Sequence, residues 1–183
     1  MNAEQKKQLL TVARETVKAA VSRKKPADVS SDDPVLNAHC GCFVTLKNRG
    51  ELRGCIGQFT SDIPLIELVR DMAIASSTQD SRFFGEPITQ REVGELDIEI
   101  SVLSPLQKTD NPLNLRLGID GIYIRRGYAS GCFLPQVATE TGWSKEEFLS
   151  YCCSHKAGLP ADAWKDKKTD VYFFTAEIIE EEK

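Results

Sequence analysis

The run Leu96-Asp97-Ile98-Glu99-Ile100-Ser101-Val102-Leu103 is the strongest constraint on what this chain can fold into. Its alternation puts Leu96, Ile98, Ile100 and Val102 on one side of an extended strand and Asp97, Glu99 and Ser101 on the other. One side is core and the other polar. The other extended segments arrive as hairpins. Residues 42–46 and 51–59 flank a short turn at Asn48 and Gly50, and a second hairpin is predicted over 121–134, turning between Arg126 and Gly131. A last strand is predicted over 171–179, with Tyr172, Phe174, Ala176 and Ile178 on one face, before an acidic tail over 180–182. Strands in hairpins, without strand-helix-strand alternation, predict an α+β fold with a mainly antiparallel sheet flanked by helices.

Three helices are marked. Leu9, Leu10, Ala13, Val17, Ala20 and Val21 form a helical stripe over residues 3–22, and Pro26 follows its end. Residues 24–37 read as an irregular connection. Ser61 or Asp62 caps a second helix with Pro64 in its first turn, and Leu65, Leu68, Val69, Met72 and Ala75 fall at helical spacing. Small residues Ala73, Ala75, Ser76 and Ser77 let that helix lie close against something. Residues 80–84 then read as a loop and 89–92 as a short capped helix. Ser144 and Glu147 form a capping box for a third helix running to about His155, ended by Gly158 and Pro160.

A chain of 183 residues with 41% hydrophobic and 27% charged residues is expected to fold as one domain over residues 1–183, with two lobes. A net charge of −4 gives no general attraction for phosphate backbones or anionic lipid, so nucleic acid and membrane partners are not expected. The polar N-terminus carries no secretion signal and no apolar run is long enough to span a bilayer, which points to the cytoplasm. There the six cysteines are expected to be reduced thiols. Cys40 and Cys42 form C-x-C, Cys152 and Cys153 are adjacent, and neither His39 nor His155 completes a zinc pattern, so no metal is expected. No repeat and no dinucleotide or P-loop glycine motif occurs.

The chemistry concentrates in Leu52-Arg53-Gly54-Cys55-Ile56-Gly57. On a strand, Arg53 and Cys55 share a face, and a guanidinium beside sulfur favours the thiolate. Gly54 and Gly57 let a ligand or another backbone come close. Cys55 is therefore a candidate nucleophile, and a buried cysteine in a tight strand is the plain alternative.

This run, with Phe43-Val44-Thr45-Leu46 before it, resembles the signature of the AMMECR domain family, whose prokaryotic members are called AmmeMemoRadiSam system protein A. Further matching segments are Asp80-Ser81-Arg82-Phe83, where the family has Asp-Pro-Arg-Phe, and Ile98-Glu99-Ile100-Ser101-Val102-Leu103. Gly121, Phe133-Leu134-Pro135-Gln136-Val137, Glu140, Trp143, Lys156-Ala157-Gly158-Leu159-Pro160 and Trp164 follow in order, so the resemblance covers about residues 41–181. It implies a two-lobed α+β domain with a cleft near the Arg-Gly-Cys segment. The family name implies Memo-like and radical S-adenosylmethionine proteins as partners. No cluster-binding cysteine triad occurs, so the chain is not itself the radical enzyme.

Within that cleft, Arg53 and Arg82 are candidates to clamp a small anionic ligand, or else to pair with Asp80 and Glu99. Asp80 and Glu99 are alternatively an acid/base or cation-binding pair. Gln136, Glu140 and Lys156 are candidates for the far wall. Two functional classes follow: a small-molecule enzyme or binding domain with an Arg/Cys cleft, cofactor unknown, and a non-enzymatic accessory module.

Overall fold

The computed structural model describes residues 1–181; Glu182, the end of the acidic tail, and Lys183 lie outside the described residues. The longer elements are α1 (Ala3–Val21), β1 (Cys42–Asn48), β2 (Glu51–Gln58), α2 (Leu65–Thr78), β3 (Leu96–Leu103), β4 (Gln107–Thr109), β5 (Gly121–Arg126), β6 (Ala129–Phe133), α3 (Pro135–Thr141), α4 (Lys145–Tyr151), β7 (Asp170–Phe174) and β8 (Ala176–Glu180). They form an α+β fold with two four-stranded sheets, ordered β2-β1-β3-β8 and β4-β7-β5-β6. Two compact units result, one of residues 1–103 with the segment from Glu177, the other of residues 104–176. The strands expected to make one sheet thus make two. The segment read as a single strand over 171–179 is interrupted at Thr175, whose N–H goes to Ser104 Oγ at 2.9 Å, so β7 and β8 enter different sheets.

In the first unit β1 pairs antiparallel with both β2 and β3. Asn48 pairs with Glu51, which leaves a two-residue turn of Arg49 and Gly50, both left-handed at φ 51° and 86°. That is the tight hairpin geometry that suits the twist of its strands. Leu46 faces Gly54 while Lys47 faces Leu52, so Arg53 is the extra residue of a β-bulge. One side of the sheet holds Val44, Leu46, Ile98 and Ile100 in a core with Leu9, Ala13 and Val17 of α1 and Leu68, Val69 and Met72 of α2. The alternation of β3 departs at its end, where Ser101 is 1% exposed and Val102 only half-buried.

Helix α2 begins at Leu65 behind Pro64, not behind a Ser61 or Asp62 cap. Ser61 Oγ instead accepts the Ile63 N–H, and the N–H groups of Leu65 and Ile66 donate to the carbonyls of Ala38 and Leu36, at 3.0 and 3.1 Å. Tertiary partners replace the local cap. The small residues do bring α2 close to β2. A Cβ on Gly54 would lie 2.0 Å from the Ser76 carbonyl oxygen, and Ser76 Oγ accepts from Ile56 N–H at 2.9 Å while donating to the Val44 carbonyl at 2.7 Å.

The second unit packs Ile122, Ile124, Phe133, Phe148, Leu149 and Trp164 into its own core. Ser144 and Glu147 cap α4 reciprocally, as the sequence predicts, and the helix continues through a turn of π-helix at Cys152–Lys156. Gly158, at φ 65°, ends it. Among the described residues no helix is long and apolar enough to cross a membrane.

Because the Gly54–Ser76 contact leaves no room for a methyl group, Gly54→Ala is expected to lower the unfolding free energy by about 2–3 kcal/mol. Gly85→Ala, with nothing within 4 Å of the added Cβ, should change it by less than about 0.5 kcal/mol. Urea unfolding midpoints of the two variants check both.

Candidate functional site

Asp80 follows α2 and opens a 3-10 turn at Ser81–Phe83. Its carboxylate is 5% exposed and takes four hydrogen bonds: Oδ1 from the Arg82 N–H at 3.2 Å and Arg82 Nε at 2.9 Å, Oδ2 from the Cys55 N–H at 3.0 Å and Arg82 Nη2 at 2.6 Å. Arg82 Nη2 also donates to the Cys55 carbonyl at 3.0 Å. Strand β2 is at the edge of its sheet, and this fork supplies an acceptor and a donor to Cys55 as a neighbouring strand would. The Arg82 guanidinium holds the Asp80 carboxyl down at about 2 against the opposing effect of burial, with the Cys55 N–H adding to it. Arg82 is raised in turn by its bond to Asp80, yet its side chain stays 54% exposed.

Arg53, on the bulge, points to another carboxylate. Its Nε donates to Glu92 Oε1 at 2.5 Å and its Nη2 to Glu92 Oε2 at 3.3 Å and to the Glu86 carbonyl at 2.9 Å, with both side chains about 15% exposed. Glu92 is lowered mainly by Arg53, with Asn48 Nδ2 contributing at 3.2 Å. The short capped turn expected at 89–92 is what presents it: Glu92 N–H donates to Thr89 Oγ1 at 3.3 Å, and a 3-10 turn follows over Glu92–Glu95. The two guanidinium groups share the Phe83 ring, at 5.9 Å for Arg53 and 5.5 Å for Arg82.

The thiol of Cys55 is half-buried and accepts a hydrogen bond from Thr45 Oγ1 at 3.3 Å. Thr45 faces Cys55 on one side and Glu99 on the other, so the three form a row across β2, β1 and β3. Glu99 accepts from Lys47 Nζ at 3.0 Å. Of the residues expected to share a site, Cys55, Asp80 and Arg82 are thus in direct contact. Arg53 joins them through Phe83, and Glu99 stands at the far end of the row. Of the two carboxylates expected to pair with the arginines, Asp80 does hold Arg82, whereas Arg53 pairs with Glu92 and Glu99 with Lys47. Gly54 admits the α2 backbone and Gly57 the Phe43 ring, 2.3 Å from a Cβ built there.

Gln136 and Glu140 lie on α3 in the other unit, and Lys156 there stands 5.8 Å over the Phe133 ring. All six cysteines are free thiols, and burial pushes up Cys40, Cys42, Cys152 and Cys153. A groove of about 1050 Å³ lies elsewhere in the first unit, between α1 and the end of β8, and includes none of the expected site residues. Sequence reasoning missed Thr45, Ser76 and Glu92. The small-residue cluster on α2 signalled the close approach that Ser76 makes; Thr45 figured only within the segment 43–46, with no role of its own.

Residues 10–179 match the family model AMMECR1. A protein of Methanothermobacter thermautotrophicus is 41% identical over 181 residues, covering 95% of this chain and 93% of that one. Protein TK0174 of Thermococcus kodakarensis is 41% identical over 185 residues, covering 95% and 89%. The crystal structure of uncharacterized protein PH0010 from Pyrococcus horikoshii superposes with a TM-score of 0.89 at 39% identity, over 100% of this chain and 94% of that one.

The Asp80 carboxyl lies below its ordinary value of 3.8 in the folded protein. Its stabilisation is therefore complete above that value and lost as pH falls through about 2. Asp80→Asn is expected to lower the unfolding free energy by about 1–3 kcal/mol at neutral pH. The gap to wild type should close as both are acidified, which urea titrations at stepped pH will read.

Proposed function

The chain belongs to the AMMECR1 family, and from that premise we propose that it is a small-molecule-binding domain whose site is the Cys55 thiol with the Arg82 guanidinium, an anionic group of the ligand facing Arg82. One observation carries the reading. Arg82 is held at two points by the buried Asp80 carboxylate and at a third by the Cys55 carbonyl, yet remains 54% exposed. A charged fork fixed in place and open to solvent beside a half-buried thiol suits an anion, because its ordering entropy is already spent. Arg53, with Glu92 and Phe83, backs this fork. Gly54 and Gly57 bring α2 and Phe43 tightly against the strand, and Glu99 closes the row behind the thiol. We place the domain in the cytoplasm, acting with a Memo-like and a radical S-adenosylmethionine protein as the prokaryotic family name couples them.

A second reading, an accessory module, is favoured by a different observation. Leu113, Leu117 and Ile119 are 39%, 37% and 53% exposed within one short segment of the second unit. Apolar side chains so grouped suit a protein partner. If that reading holds, the triple change of these three residues to Ser abolishes co-purification with the Memo-like protein and leaves Cys55 chemistry untouched.

The binding reading is tested with iodoacetate and iodoacetamide, two alkylating agents of the same size that differ in charge. At Cys55 the ratio of iodoacetate to iodoacetamide rates is expected to exceed that of a small free thiol by about 3- to 5-fold. It should fall with added salt, and Arg82→Gln should erase it. A ratio equal to that of the free thiol in the wild-type protein sinks the proposal.

A further inference from the structure

Every polar group of Cys55 is engaged: its N–H by Asp80, its carbonyl by Arg82, and its sulfur by Thr45 Oγ1 at 3.3 Å. The third contact is the unusual one. Thr45 is 8% exposed, and a buried hydroxyl needs an acceptor. A thiol sulfur is a weak acceptor and a thiolate a strong one, so this bond strengthens when the sulfur loses its proton.

The charged groups around the sulfur come in pairs. Arg82 is paired with Asp80 on the edge of β2, Arg53 with Glu92 two residues along, and Lys47 with Glu99 beyond Thr45. Each of these cations therefore has a carboxylate beside it. The Thr45 hydroxyl is a donor aimed at the sulfur with no such counterpart. It also sets the direction of the side chain, since Thr45 and Cys55 are register partners on adjacent strands.

We infer that Thr45 is the positioning residue that makes Cys55 a nucleophile, so that the ligand taken by this site is an electrophile carrying an anionic group. The inference deepens the binding reading above and rests on it for the anionic group alone. In the step it supports, the thiol proton passes to solvent and a sulfur lone pair forms a bond to the electrophilic atom. The leaving group departs with the bonding pair. No oxidant or reductant is needed.

The test uses the whole chain and iodoacetamide, a neutral electrophile whose iodide is the leaving group. The Cys55 peptide is read by mass spectrometry between about pH 6 and pH 10. Thr45→Val, which keeps the shape and removes the hydroxyl, is expected to slow labelling at neutral pH by about 3- to 10-fold and to move the rate profile to higher pH. Thr45→Ser should restore the wild-type profile. Thr45→Ala provides the same loss of hydroxyl should valine disturb the packing, and thermal unfolding of each sample establishes that the fold is kept. Folded Thr45→Val or Thr45→Ala protein that labels as fast as wild type, with an unshifted profile, overturns the inference. Failure of the binding reading looks different: the iodoacetate preference would be missing while the Thr45 effect persisted.

Discussion

A carboxylate taken out of water is costly unless donors surround it, and the first unit of this protein is arranged around one. Asp80 meets four donors from two residues, Cys55 and Arg82. In doing so it starts the turn after α2, fixes Arg82, and occupies the outer side of β2 at Cys55. An edge strand with free N–H and carbonyl groups invites pairing with another chain. Here the invitation is withdrawn at Cys55, the residue proposed above to carry the reactive sulfur. Under that proposal stability and chemistry share an anchor.

The close seat of α2 makes that anchor reachable. Asp80 stands two residues beyond the end of α2, and it reaches Cys55 only because the helix approaches β2 at Gly54. Ser76 secures the approach by bonding both Ile56 of β2 and Val44 of β1. A larger residue at position 54 would lift the helix end away from the strand, and the carboxylate with it. The glycine beside the cysteine thus acts through the helix behind the sheet.

Much of this was legible in the sequence, and the parts that were not have physical reasons. Local signals came through: the alternation of β3, the two hairpins, and the Ser144–Glu147 box depend on neighbours a few residues apart. The cap of α2 did not, because its first N–H groups are met by carbonyls of Leu36 and Ala38, which no local pattern announces. The break at Thr175 was equally hidden. Tyr172, Phe174, Ala176 and Ile178 keep one periodicity through it, while the chain leaves one sheet and enters the other. In the site, Arg53, Cys55, Asp80 and Arg82 were readable as residue types. Their pairing was not, because the choice of Glu92 over Glu99 for Arg53 depends on a bulge and on a turn some forty residues on.

The bulge explains a further feature of the arrangement. Without the extra residue, Arg53 would take a regular place in the ladder facing β1; on the bulge it turns toward Glu92, Glu86 and Phe83 instead. Phe83 then receives both guanidinium groups on one ring, and like charges approach that would repel if either lacked its carboxylate. Each guanidinium keeps its own carboxylate, so the shared ring meets two ion pairs and not two bare cations. In the proposed site, the donors that meet at Cys55 are the exposed edge of Arg82 and the hydroxyl of Thr45.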